Sequence, residues 1–327
     1  MIKLIDYIKK FDRRLVFPWM STVGLRLTGY KLYDVYNSPQ KQLYVAQVMD
    51  EEFKADFVYP MDDGALFFET IGLPLIKTDY DFPSSMEHPI KDQSILSGLR
   101  VPDPYKDGRM PVNLESYSLI SGHFDKPLAV SLQGPFTLAS ELMGVMDLVR
   151  AIIRNPQYVT DLLNYTTEVV LTYALAAVQA GVSFLCISEP TAVLLSPPRF
   201  NQLVSDNLRK IFTSTDAWKI LHVCGDTTYL MPQLLNCGTE GLSLDQAVDL
   251  PGIAPRIPEE VVIIGNIDPL NVLAELTPAE VWENTLDLLF NMKDYPNFLV
   301  SFGCDCLPDT PVENLKAAME GGRTLIK

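Results

Sequence analysis

The chain has 327 residues, of which 47% are hydrophobic and 20% charged, enough apolar material for a large core and little sign of disorder. Twenty-six Lys and Arg stand against 41 Asp and Glu, a formal charge of −15, which repels phosphate backbones and anionic lipid heads. No apolar run approaches the ~18 residues of a membrane span, and the N-terminal MIKLIDYIKKFDRR scatters charges where a signal peptide places its apolar stretch. The expectation is a cytoplasmic globular protein with no nucleic-acid and no membrane partner.

Short β-branched and aromatic runs without clean alternation recur along the chain, as in strands covered on both faces. In order they are Val16–Met20, Asp56–Pro60, Leu128–Gln133, Ser183–Ser188, Ile220–Cys224, Gly241–Asp245, Val262–Asn266 and Leu299–Cys304. Between them the helix punctuation is legible. Asn155-Pro156 opens a helix through Ala180 that Gly181 stops, and Ser196-Pro197 opens another. Thr277-Pro278-Ala279-Glu280 and Thr310-Pro311-Val312-Glu313 both carry capping-box spacing. The Pro-rich stretch from Phe67 to Lys126 predicts excursions over a barrel mouth. Eight strand–helix units predict parallel pairing and a (β/α)8 TIM barrel, α/β in class, as a single domain over residues 1–327. No G-x-G-x-x-G follows an early strand, which disfavours the open dinucleotide-binding sheet.

In such a barrel the chemistry collects where strands end. The residues there are Asp62 and Asp63, Glu189, His222 and Cys224, Asp245, Asn266 and Asp268, then Cys304, Asp305 and Cys306. His222-Val223-Cys224 is the sharpest local feature, because residues i and i+2 of a strand face the same side. Cys304, at the end of the last strand, offers a third soft ligand. Three protein ligands with one open position is how catalytic zinc is held, and imidazole with thiolate suits zinc. Cys306 is expected as a neighbour rather than a ligand, because Pro308 soon ends the strand. Glu189 is either a fourth ligand displaced by substrate or a capping carboxylate. Asp62 and Asp63 are either a general acid or base, a support for a ligating histidine, or the turn Asp62-Asp63-Gly64. Cys186 and Cys237, among apolar neighbours, read as small buried hydrophobes. His88 and His123 read as loop residues outside any metal site.

The ordered segments Asp107-Gly108-Arg109-Met110-Pro111, Gly134-Pro135-Phe136-Thr137, Ser188-Glu189-Pro190, His222-Val223-Cys224-Gly225, Gly265-Asn266-Ile267-Asp268-Pro269 and Gly303-Cys304-Asp305 carry a resemblance. The chain resembles the uroporphyrinogen decarboxylase superfamily, and within it the methylcobamide:coenzyme M and related corrinoid-dependent methyltransferases. The resemblance implies a (β/α)8 barrel with Zn2+ held by His222, Cys224 and Cys304. Glu189 matches a further acidic position of the zinc site, and Asp63 the catalytic aspartate of the decarboxylase branch. It also implies methyl transfer between a small substrate, a thiol or a methyl ether, and the cobalt of a corrinoid (cobalamin-binding) partner protein. The decarboxylase branch carries an arginine-rich loop after the first strand, and here Ser21 and Leu25 stand where two arginines are expected. That departure favours the methyltransferase branch over a decarboxylase. A non-catalytic zinc- or corrinoid-binding barrel is the other alternative.

Overall fold

The computed structural model describes residues 1–85, 87–90 and 92–325. Six strands, β1 (Leu128–Gln133), β2 (Val182–Ser188), β3 (Trp218–Val223), β4 (Gly241–Leu244), β5 (Val262–Ile267) and β6 (Phe298–Phe302), pair in parallel in sequence order. The two expected N-terminal strands are reduced to single bridges, Val16 to Val300 and Val58 to Leu128. They still close the ring. Phe17 N–H donates to Val300 O at 2.9 Å, Asp56 N–H to Val16 O at 3.2 Å, and Ala129 N–H to Val58 O at 2.9 Å. Pro18 and Pro60 lack the N–H that a longer ladder requires, which is why pairing stops within a residue or two. The molecule is therefore a (β/α)8 barrel in which two staves are minimal.

Strand residues alternate between two cores, as the pleat demands. Val130, Leu185, Leu221, Leu242, Ile263 and Val300 face the helix layer and belong to the larger apolar cluster. Phe17, Ala129, Phe184, Ile220, Ile264 and Leu299 point inward and form a second cluster, closed from below by Leu4, Ile5 and Ile8 of the N-terminal helix. Phe17 meets Trp19, Phe57 and Phe184 with ring centroids 4.6, 5.6 and 4.9 Å apart, filling the barrel axis with aromatic contacts. One step nearer the C-terminal mouth the inward positions become polar: Ser131, Ser188, His222, Ser243, Asn266 and Ser301. The barrel has a dry floor and a polar upper layer.

The helix signals mostly hold. Pro156–Gln179 is capped by Asn155, whose side chain accepts from Tyr158 N, and Gly181 follows at φ 107°. Thr277 and Glu280 form the full capping box on Pro278–Asn291. The second such motif does not: the last helix starts at Val312 behind Pro311, with no side-chain cap. Ser196-Pro197 opens only one short turn, Pro197–Phe200, before a wider π-helical stretch, Asn201–Ser205. The 67–126 excursion holds the helix Met110–His123, so His123 ends a helix rather than lying in a loop; its Nε2 sits 3.0 Å from Gln47. Among the described residues no helix is long and apolar enough to cross a membrane.

Candidate metal centre at the barrel mouth

Of the described residues, one group of three or more His, Cys, Asp or Glu side chains brings ligand atoms within 4.8 Å of one another: His222, Cys224 and Cys304. His222 Nε2 lies 3.2 Å from Cys224 Sγ, and the two sulfurs are 3.8 Å apart. The i, i+2 relation delivers His222 and Cys224 to the barrel interior just above Ile220. Cys304 arrives differently. Leu299 faces inward, so strict alternation would turn position 304 outward, but β6 ends at Phe302 and the chain bends at Gly303. A Cβ at Gly303 would sit 2.4 Å from Gln246 N, so the bend requires glycine. The expected strand to Cys304 is therefore two residues too long, and the break brings the thiol to the site.

The imidazole is oriented from behind. His222 Nδ1 lies 3.2 Å from Ser243 O and 3.0 Å from Ser243 Oγ. A carbonyl oxygen only accepts, so Nδ1 carries the proton and Nε2 presents its lone pair to the sulfurs. Trp19 Nε1–H donates to the same Ser243 Oγ at 3.1 Å and fixes the serine in turn. The two thiols titrate together: the Sγ–Sγ contact holds one of them, Cys304, below the usual thiol range and pushes Cys224 above it. Two sulfurs and an imidazole lone pair converging within 4.8 Å match a divalent cation of zinc's softness, which binds as the thiols give up their protons. The donor set fits zinc.

Cys306 does not join them: it is buried in the outer core, its N–H donating to Trp19 O at 3.3 Å. Cys186 packs inside the barrel floor, and Cys237 donates to Gln233 O. Glu189 has parity opposite to the inward Ser188, and its fully buried side chain turns to the N-terminus of the helix Pro135–Met143. One oxygen accepts from Phe136 N at 2.9 Å, the other from Thr137 N at 2.7 Å and Thr137 Oγ1 at 2.8 Å. These are helix donors without intrahelical partners, and the helix dipole favours a carboxylate there. Gly134 makes room: a Cβ there would meet the Glu189 carboxyl at 2.2 Å. Burial nevertheless raises Glu189 to about 7.

Asp63 lies in a separate network. Arg109 grips both its oxygens, with Nη2 3.0 Å from Oδ1, and Asn113 Nδ2 donates to Oδ2 at 3.0 Å. Arg109 also donates through Nε to Glu69 at 2.7 Å and lies over the Tyr36 ring at 4.6 Å. Asp62, its neighbour, is raised to about 8 by burial and by Asp305 across the mouth. Asp305 accepts from Ser21 N at 2.9 Å. Asp245, Asn266 and Asp268 hold loops instead: Asp245 accepts from Ala247 N, Asn266 donates to Asp245 O and Val248 O, and Asp268 caps Leu270 and Asn271. Ser243, Trp19 and Asn113 are not signalled by any motif in the sequence. For Ser243 a signal exists, its inward position at the level of His222 on the next strand.

The family model described as uroporphyrinogen decarboxylase (URO-D) matches residues 9–325. A methylcobamide:CoM methyltransferase, MtaA, of Methanosarcina barkeri is 30% identical over 229 residues, 68% of this chain and 66% of that protein. The chain thus spans about two thirds of that relative's length. A uroporphyrinogen decarboxylase of Koribacter versatilis is 25% identical over 298 residues, covering 88% of this chain and 83% of its own. A solved methyltransferase from Methanosarcina mazei superimposes with TM-score 0.89 at 25% identity, covering 98% and 96% of the two chains. Barrel, ordered motifs and family match agree: the chain belongs to the uroporphyrinogen decarboxylase (URO-D) family.

Proposed function

We propose that this protein is a zinc-dependent methyltransferase that moves a methyl group between a small substrate and the cobalt of a corrinoid carried by a partner protein. The observation that carries the reading is the convergence of His222 Nε2 and the Cys224 and Cys304 sulfurs at the C-terminal mouth, where barrel enzymes work. His222, Cys224 and Cys304 would hold the ion, and Ser243 would keep His222 in the ligating tautomer. Bound there, zinc supplies Lewis acidity at an exchangeable position, favouring the thiolate of a thiol or polarising the oxygen of a methyl ether. Glu189 and Asp63 act in this reading as positioning residues. Glu189 fixes the helix Pro135–Met143 against the strand that leads to Ser188, and Asp63 anchors Arg109 beside the mouth.

Two further features favour methyl transfer over porphyrinogen decarboxylation. Ser21 and Leu25 are both buried, so the loop after the first barrel segment offers no arginine at those positions to a polyanionic tetrapyrrole. Exposed apolar side chains stand on the loops after four strands, Leu194, Tyr229, Leu270 and Leu307, a rim suited to the flat face of a corrinoid on its carrier.

The test is metal analysis with X-ray absorption at the zinc edge, before and after adding thiols or methoxylated aromatics. The expected result is about one zinc per chain with mixed N and S ligands whose coordination changes with one substrate class. No zinc, or a closed shell indifferent to every ligand, would return the protein to the decarboxylase or accessory-barrel alternatives.

A further inference from the structure

A cavity of about 470 Å3 opens beside the donor cluster. Ser188 in its wall pairs in register with His222 across β2 and β3. Asp62, also in the wall, is close enough to Asp305 to feel its charge, and Asp305 directly follows Cys304. The cavity therefore opens at the same end of the barrel, one strand over from His222, under the excursion that follows the second barrel segment.

Its lining is distinctive. Phe67, Phe82 and Tyr117 supply aromatic walls, Asp62, Asp63 and Glu141 supply carboxyl groups, and the remaining polar lining is neutral serine and glutamine. Among the described residues no Lys, Arg or His lines the cavity. Arg109 gives it no free cation, because Asp63 and Glu69 already take its guanidinium.

We infer that this cavity receives the non-reacting part of the methyl-transfer substrate, and that it selects an uncharged or cationic group over an anionic one. The inference rests on the methyltransferase reading above. An anion entering here would leave water for a partly desolvated wall that holds the Asp63 and Glu141 carboxyls and, among the described residues, no fixed cation to receive it. A neutral or cationic group meets aromatic faces, carboxyl oxygens and serine hydroxyls, all favourable contacts. A sulfonated thiol such as coenzyme M is accordingly a poor fit for this chain, although the Methanosarcina barkeri relative is named for transfer to CoM.

Three thiols differing only in end-group charge test the point: 2-mercaptoethanesulfonate, 2-mercaptoethanol and 2-aminoethanethiol, titrated calorimetrically into the zinc-loaded full chain. A second pair, 2-methoxybenzoate and 2-methoxyphenol, covers the ether class. The neutral and cationic members should bind about tenfold or more tightly than the anionic member of their set. Equal or tighter binding of the anions overturns the inference, and so does the failure of all five to bind. Glu141→Lys should narrow or invert the order, and an unchanged order counts against the cavity. Should that variant not fold, Ser84→Lys at the exposed edge of the wall makes the same test. Zinc bound and methyl groups moved, but with the sulfonate preferred, defeats this inference and leaves the methyltransferase reading standing. No metal held defeats that reading whatever the order of binding.

Discussion

On the side of the mouth built by β3 and β6, His222, Cys224 and Cys304 point their donor atoms chiefly at one another. On the side that follows the second barrel segment, Asp63 is gripped by Arg109 and Asn113 and is almost completely buried. Both sides hold reactive residue types on a strand end, yet they are built for opposite tasks. A carboxylate held by a two-point guanidinium contact already has its counter-charge and its hydrogen-bond donors. Two thiols and an imidazole whose donor atoms converge, with no cationic side chain among the described residues paired to them, are instead suited to receive a metal cation. Residue type and strand-end position are the same kind of signal on both sides. What the neighbours already satisfy decides which group is available.

Breaking either side separates the two. The largest effect is expected from Arg109→Met, which leaves Asp63 buried and unpaired and should cost about 3–5 kcal/mol of stability. Denaturant unfolding reads that loss, and an unchanged midpoint would show that the pair carries no structural role. Cys304→Ser should leave unfolding near wild type while zinc falls from about one per chain to near zero. Retained zinc by elemental analysis would remove Cys304 from the centre. Ser243→Ala keeps all three candidate ligands and the backbone carbonyl but removes the hydroxyl contact to Nδ1, and metal affinity should drop about 10-fold in a chelator competition. Affinity equal to wild type would mean that Trp19 and the carbonyl of Ser243 orient the ring without the hydroxyl.

Smaller effects sharpen the contrast. Asp62 is raised to about 8 by burial first and the charge of Asp305 second, against an ordinary 3.8. A raised carboxyl favours folding most when protonated, so its contribution is complete below about pH 4 and is lost as pH rises through about 8. Asp62→Asn should therefore flatten the fall in melting temperature between those limits, and parallel wild-type and variant profiles would place that slope on another group. Cys237→Ser is the mildest change: it lies in the outer core away from the cluster, and zinc content should be unaffected. Zinc loss there would tie Cys237 to the centre and overturn its role as a packing residue.

Much of the molecule is legible in the chain itself. The six central strands and the capped helices at Asn155 and Thr277 follow from local signals, turn residues and caps that act within one or two turns. The pairing of His222 with Cys224 follows from the period of a strand. The first two staves carry strand-like side chains and so resemble full strands, but Pro18 and Pro60 cut their ladders to bridges. The second Thr-Pro-x-Glu motif matches a capping box in letters only, since its helix begins behind Pro311.

The sequence by itself determined that this is an α/β barrel with imidazole and thiol groups at two strand ends, because hydrophobic period, caps and i, i+2 spacing are local properties. Tertiary structure alone decided the rest. Strand alternation would have pointed Cys304 away from the site, and only the bend at Gly303 against Gln246 turns it inward. Glu189 and Asp63 carry the same charge and both sit at strand ends, yet one is taken by a helix N-terminus and the other by an arginine 46 positions along the chain. Which groups are satisfied and which are left free depends on neighbours distant in sequence, and those neighbours are chosen by the closing of the barrel.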